Sequence, residues 1–291
     1  MRWHTKLIIT LITIFFSNIC MAESPIPSHI RLSSQRIFQG GVGLIAILTE
    51  KGEHPRVTWL NKTVHLVPND RKTKWQGFLA ADLQQQPGRQ GVTVTLNPSG
   101  HQSRFDMEII AKDYGVQRLT LPPHTVDLDE ETLKRVLEEQ KIMSALWKEP
   151  EPAPLWHGAF LRPVPGIVVG PFGKGRIINE QPRSPHTGVD LRGEAGTPVK
   201  AMNRGKIVLT DEHFFSGRSV VIDHGGEILS MYFHLEKILV RSGETVEKGQ
   251  VIGLVGSSGR ASGPHLHWGI RLNGVRIDPI ELLDISRQLE E

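Results

Sequence analysis

One cysteine, Cys20, is all the thiol that 291 residues contain. It lies in the leading segment. Once that segment is removed, no disulfide can form and no thiolate can bind a metal. Aromatic residues are scarce, at 6%. Glycine (29) and proline (19) are plentiful instead, a mixture that suits strands and turns better than a helical bundle. No long apolar run occurs in the body of the chain, which excludes a polytopic membrane protein. A strong excess of one charge is also missing. The formal balance of +3 falls to +1 without Arg2 and Lys6, so no nucleic-acid footprint is built in. With 38% hydrophobic and 22% charged residues, the chain is globular and long enough for two domains.

Residues 1–22 read as a secretory signal peptide. Arg2 and Lys6 form a basic start, residues 7–16 are almost purely apolar, and Cys20-Met21-Ala22 supplies a small-residue end. The apolar core is about half of the ~20 residues that a membrane span needs. Cleavage after Ala22 is expected, leaving an exported chain with no stable membrane span. A membrane anchor and lipidation at Cys20 are the competing readings. Asn18 and Ile19 fit poorly before a lipid-modified cysteine.

Strands are expected over 43–48, 57–60, 63–67, 75–79, 92–96 and 105–110, with turns at Pro68-Asn69-Asp70, Pro87-Gly88 and Asn97-Pro98-Ser99-Gly100. Such spacing predicts a small antiparallel sandwich over 23–113. His29, His54, His65 and His101 lie there without ligand spacing and read as surface or packing histidines. Residues 114–154 read as a helix and Pro-rich linker. Asp127 and Asp129 suit a helix start, and Glu130 and Glu131 its first turn. Leu133, Val136, Leu137, Gln140, Met143 and Trp147 keep helical spacing and predict a packing face. Pro150, Pro152 and Pro154 then end the helix in a stiff linker. Residues 155–291 form the second domain. Strands are expected over 199–209, 219–223, 229–235, 250–255 and 266–272, and a helix over 280–289. Gly-rich corners predict a mostly antiparallel β domain.

Six histidines follow residue 180: His186, His213, His224, His234, His265 and His267. His265 and His267 are two apart on a strand, so both face one side with Cα atoms roughly 6.5–7 Å apart. Both could approach one metal, or one could ligate while the other works beside it. His186 and Asp190 are four apart, and the residues between them are poor helix formers. A straight strand would separate them by about 13 Å. Sharing an ion therefore requires the chain to turn, which Gly188 permits. Neutral histidine nitrogens with one carboxylate make an ordinary zinc site, and three protein ligands leave a fourth position for water. There is no H-E-x-x-H, so proton work would fall to spare histidines, with His234 and His265 as candidates. Spacing alone leaves a plainer reading open, in which the His-x-His pair is packed or exposed. His224 suits a turn as well as chemistry, and His213 has no partner.

Seven segments occur in order: Gly170-Pro171-Phe172-Gly173, His186-Thr187-Gly188-Val189-Asp190, Gly196-Thr197-Pro198-Val199, Ile222-Asp223-His224-Gly225, Tyr232-Phe233-His234-Leu235, a stretch over 246–253, and Gly263-Pro264-His265-Leu266-His267-Trp268. Together, over about 166–283, they resemble the lysostaphin-type (LytM) zinc metalloendopeptidases. The resemblance implies one Zn2+ per chain, held by His186, Asp190 and His267. It implies that His234 and His265 flank the open position, orient the water, hold the oxyanion and deliver a proton to the leaving amine. Trp268 stands where many members have phenylalanine, at the expected groove edge. Residues 23–113 resemble, more loosely, the β-sandwich that precedes this domain, with a helix, in some exported members. The fold class expected is mainly β: an N-terminal β-sandwich-like domain, a helical linker, and a C-terminal antiparallel β domain of LytM-type peptidase form. No lysin-motif repeat or SH3-like tail is expected after it.

The family's usual activity is hydrolysis of the peptide cross-links of bacterial peptidoglycan. By analogy the bond is D-alanyl to meso-diaminopimelate, cut in the periplasm during cell-wall remodelling. Implied partners are peptidoglycan stem peptides and wall-synthesis or regulatory proteins, with no nucleic acid. The alternative is a non-catalytic regulator of a wall amidase. Relatives of that kind lack zinc ligands, whereas all three ligand positions and both auxiliary histidines are present here. A third reading is a carrier module, since residues 243–250 are similar to turns of biotinyl-type β domains. The modified-lysine hairpin is missing. The amino-terminal domain and helix supply no catalytic chemistry and are expected to control access to the groove. Asn179 is one candidate for an internal fourth ligand.

Overall fold

The computed structural model describes residues 25–120, 128–148 and 150–289. The segment read as a signal peptide, with Cys20, lies outside the described residues, as does Asp127. Among the described residues no helix is long and apolar enough to cross a membrane. The molecule is mainly β.

The amino-terminal part is two sheets face to face. One runs Ile30–Leu32, Val42–Leu48, Lys74–Ala80, Val67–Pro68. The other runs Arg36–Phe38, Gln102–Ile110, Gly88–Asn97, His54–Trp59, Lys62–Val64. Strand alternation builds the core between them. Along Gln102–Ile110, Phe105, Met107 and Ile109 point inward, and they meet Ile45, Ile47 and Leu79 from the facing sheet. The single strand expected over 63–67 is in fact two. Lys62–Val64 pairs in one sheet and Val67–Pro68 in the other, so the chain changes layer at His65-Leu66.

The strand Val42–Leu48 is buried on both faces. Ile45 and Ile47 fill the sandwich. Val42 and Leu44, with Phe78 and Ala80 across from them, turn outward onto the second domain. There Phe78 meets Trp156 and Phe160, with ring centroids 5.5 and 6.1 Å apart. Fully burying side chains of this kind stabilises by roughly 1.5–3 kcal/mol each. Asp278 N–H donating to Gly40 O (2.7 Å) and Arg276 N–H donating to Asp82 Oδ2 (3.1 Å) add polar ties. The two parts therefore share one apolar core rather than a flexible joint.

The second domain is built on a large antiparallel sheet. Its path runs Val168–Gly170, Val189–Arg192, His265–Leu272, Ile228–Ile238, Gly217–Asp223, Gly205–His213, Thr245–Val246. Tyr232, Leu266, Trp268 and Ile270 are buried on one face. The other face carries His265 and His267. The segment 114–154 is more than a helix and linker. Its strand Val116–Leu119 pairs in parallel with Gly175–Ile178, which in turn forms a hairpin with Gln181–Arg183.

The helix Glu130–Leu146 begins where Asp129 accepts from Thr132 N–H at 2.7 Å. Val136 is buried, and Met143, Leu146 and Trp147 pack against Leu209, Val221, Leu229 and Met231. Register puts Met231 opposite Gly269 and Leu229 opposite Arg271, on the same side as His267. The helix thus lies across the histidine-bearing face. Glu139 accepts from Phe214 N–H at 2.9 and 3.0 Å and fastens it to the far hairpin. Leu133 and Leu137 belong to the expected packing stripe but are 46% and 47% exposed. Only part of the helix meets the sheet, so the stripe is only partly covered.

Candidate metal centre

His265 and His267 alternate with buried Leu266 and Trp268, so both imidazoles leave the core face. Asp190 lies directly across from His267 on the neighbouring strand. His186 arrives from the loop before that strand. Its Nε2 is 3.0 Å from Asp190 Oδ1 and 3.0 Å from His267 Nδ1, and His267 Nδ1 is 2.9 Å from Asp190 Oδ1. Two glycines provide clearance. A Cβ on Gly170 would collide with the Asp190 carboxylate, and one on Gly188 would come 2.8 Å from His267 Nε2. Gly188 has no left-handed φ, so what it supplies is space rather than a special turn.

His234 reaches this face through a bulge. Tyr232 pairs with Val220 and Leu235 with Arg218, so Phe233 and His234 together oppose Ser219. His234 has φ 63, a region disfavoured for residues other than glycine. Its N–H donates to Ser216 O at 2.9 Å. Strict alternation would send His234 into the core beside Tyr232. The bulge sends it outward instead, 4.9 Å from the His265 ring and 6.1 Å from the His267 ring by centroid.

The backbone fixes the tautomers. A carbonyl only accepts, so the nitrogen facing it must donate. His186 Nδ1 faces Pro171 O at 2.9 Å, His234 Nδ1 faces Ser258 O at 2.9 Å, and His265 Nδ1 faces Gly263 O at 2.8 Å. Each neutral ring then carries a lone pair on Nε2. The His186 lone pair points at a carboxylate oxygen and a second imidazole nitrogen. Acceptors gathered in this way call for a cation among them. Ligands of a tetrahedral zinc, at ~2.0–2.1 Å from the ion, stand roughly 3.3 Å apart. The three atoms here are 2.9–3.0 Å apart, so the set fits such an ion. Burial favours raising the Asp190 carboxyl, but in the metal-free site a proton on either facing imidazole nitrogen donates to it, and that hydrogen bond and charge prevail and hold it well below the usual carboxylate range. Burial lowers His234 to about 4 and lowers His267 as well, so both are neutral at neutral pH.

Other expectations land elsewhere. Trp268 is not at a groove edge. It is fully buried on the opposite face, where alternation from His267 places it. His224 is buried in the core, with Nδ1 2.8 Å from Arg204 O and Nε2 2.7 Å from Ser230 Oγ. His213 is buried 3.3 Å from Asp211 at the end of its strand. Asn179 and Glu180 are the two left-handed residues of a hairpin tip, outside the metal-ligating group. Residues that no spacing singles out also shape the site. Phe233 stacks on His267, and a cleft of about 450 Å3 beside Asp190 is lined by Lys174, Arg176, Arg192 and Gln117. Alternation from Tyr232 could have flagged Phe233. No local signal marks the others.

The sequence profile of Peptidase family M23 matches residues 184–279. The chain is 45% identical over 91 residues to peptidoglycan DD-endopeptidase ShyA of Vibrio cholerae serotype O1, covering 31% of this chain and 21% of that one. It is 39% identical over 97 residues to DD-carboxypeptidase/endopeptidase Mpg of Neisseria meningitidis serogroup B, covering 33% and 22%. It thus spans between a fifth and a quarter of the length of these curated relatives. The crystal structure of a peptidase M23 chain from Pseudomonas aeruginosa matches with a TM-score of 0.66 and 33% identity, over 85% of this chain and 95% of that one. The chain belongs to peptidase family M23.

Proposed function

We propose that this chain is an exported zinc metalloendopeptidase that hydrolyses the peptide cross-links of bacterial peptidoglycan, at the bond from D-alanine to meso-diaminopimelate. One observation carries the reading. His186 Nε2, His267 Nδ1 and Asp190 Oδ1 lie within 3.0 Å of one another, with His234 and His265 beside them. The endopeptidase activities for which the ShyA and Mpg relatives are named support the substrate. The signal-like residues 1–22 support export, and a periplasmic site of action follows from that substrate.

His186, Asp190 and His267 would hold the ion. Bound Zn2+ supplies an acidified water and a polarised carbonyl. His234 and His265 keep their Nδ1 protons on backbone carbonyls, which leaves each Nε2 able to take a proton from the attacking water. Once protonated, the same Nε2 can donate to the tetrahedral oxyanion and then return the proton to the leaving nitrogen as the C–N bond breaks. The complete ligand set argues against a non-catalytic regulator. The helix across the histidine-bearing face supports the idea that the amino-terminal half restricts the groove.

The test is zinc content together with product release from purified cross-linked murein, comparing the mature chain with His267→Ala. Near one zinc per chain and conversion of dimeric to monomeric muropeptides, both lost in the variant, are expected. Zinc binding without hydrolysis of either intact murein or small soluble dimers would overturn the reading.

A further inference from the structure

The cleft beside Asp190 carries more positive charge than the metal centre can use. Lys174, Arg176 and Arg192 line it, and the sole carboxylate in its lining is Asp190, which is engaged by His186 and His267. Among the described residues, none of the three cations has a carboxylate within ion-pair distance. Arg176 is the most constrained. It lies in the central strand of a small sheet, opposite Gln117 on one side and Arg183 on the other. Burial depresses its guanidinium, and only Asp190 opposes this. Arg176 and Arg183 both act against Arg260, so neighbouring cations raise the local potential further. A half-buried cation without a carboxylate in direct ion-pair contact is costly. Here it stands on a rigid backbone beside the reacting centre.

We propose that Arg176, assisted by Lys174 and Arg192, is a specificity-determining anchor for a free carboxylate that the substrate carries next to the scissile bond. The inference rests on the endopeptidase reading above and narrows its substrate. In a D-alanyl–meso-diaminopimelate cross-link, the carbon bearing the leaving nitrogen also bears a free carboxylate. In a glycine bridge that carbon carries a neutral peptide carbonyl, and in amidated diaminopimelate a neutral carboxamide. A guanidinium grips a carboxylate through two parallel charged hydrogen bonds, which a neutral amide cannot reproduce.

The test uses two synthetic cross-linked dimers that differ only at that carboxyl, free or amidated. The zinc-loaded mature chain is compared with Arg176→Gln and Arg176→Lys, with zinc content checked in each. The wild type is expected to prefer the free acid about tenfold in kcat/KM, chiefly through KM. The preference should fall to near one in Arg176→Gln and partly return in Arg176→Lys. Calorimetric titration of the metal-free protein with each dimer should give the same order of affinities. A wild type that treats the dimers alike in rate and affinity would overturn the proposal, as would an Arg176→Gln variant that keeps the preference. If neither dimer is cut but the free acid still binds through Arg176, the endopeptidase reading fails and the carboxylate subsite stands.

Discussion

The ring of Phe233 lies parallel to the imidazole of His267, with 5.5 Å between centroids and 5° between planes. His267 directs Nδ1 at Asp190 and His186. The flat contact fixes the ring's rotation, as a supporting partner fixes a metal-ligating histidine elsewhere. Phe233→Leu keeps an apolar side chain but removes the plane. Zinc affinity, measured by chelator competition, should weaken by about tenfold. Unchanged affinity would mean that Asp190 and the sheet alone orient the ring.

Zinc should also stabilise the fold, because His186 Nε2, His267 Nδ1 and Asp190 Oδ1 converge within 3.0 Å of one another and a bound ion would bridge them. At free zinc a hundredfold above Kd, stabilisation of about 2.7 kcal/mol is expected. Thermal unfolding should therefore rise with added zinc and fall back on chelation. Asp190→Asn should abolish the response while remaining folded. A zinc-dependent shift of equal size in that variant would place binding elsewhere.

Some of this was legible in the chain and some was not, for physical reasons. Alternation over 102–110 specifies an inward face without any partner, so the sandwich strands could be read directly. The strand Val116–Leu119 could not. It is a strand only because Gly175–Ile178, far along the chain, lies beside it. His186, Asp190 and His267 stand out by residue type and order. The aim of His234 does not, because a bulge, which alternation cannot anticipate, turns it out of the core. Trp268 shows the converse: the resemblance points to a groove edge, but alternation from His267 buries the ring on the opposite face. The role of Arg176 depends on a counter-ion being missing nearby, which is a property of the fold and not of any local pattern.

His224 sets a pH dependence that is independent of the metal. Burial lowers it to about 4, partly opposed by its hydrogen bond to the Arg204 carbonyl. In the unfolded chain it titrates near ~6.5. Between these values the unfolded chain holds a proton that the folded chain does not. Stability is therefore fully present above about pH 6.5 and is lost as pH falls toward 4, by roughly 3 kcal/mol in all. Urea unfolding of wild type and His224→Gln at pH 7 and pH 4.5 should show a smaller loss in the variant. Parallel losses would mean that acid sensitivity comes from other groups.

The helix Glu130–Leu146 and Trp147 rest on the same sheet face as His267. Met143 and Leu146 cover Leu229 and Met231, and Trp147 stacks on Arg271, whose Cζ is 4.7 Å from its ring. Whatever extended substrate passes the metal centre must share that face with the helix. Deleting the whole amino-terminal half would not test this cleanly, since Trp156 and Phe160 would lose their partners Phe78 and Leu44. A single substitution does so better. Trp147→Ala removes the ring on which Arg271 stacks and part of the apolar contact, worth roughly 1–2 kcal/mol at a half-exposed site. That is enough to raise the undocked population by about fivefold to thirtyfold. Hydrolysis of intact murein should then increase relative to hydrolysis of a small soluble dimer, which needs less of the sheet. An unchanged ratio, with helix content lowered in the variant, would make the helix a brace for the fold and not a limit on the groove.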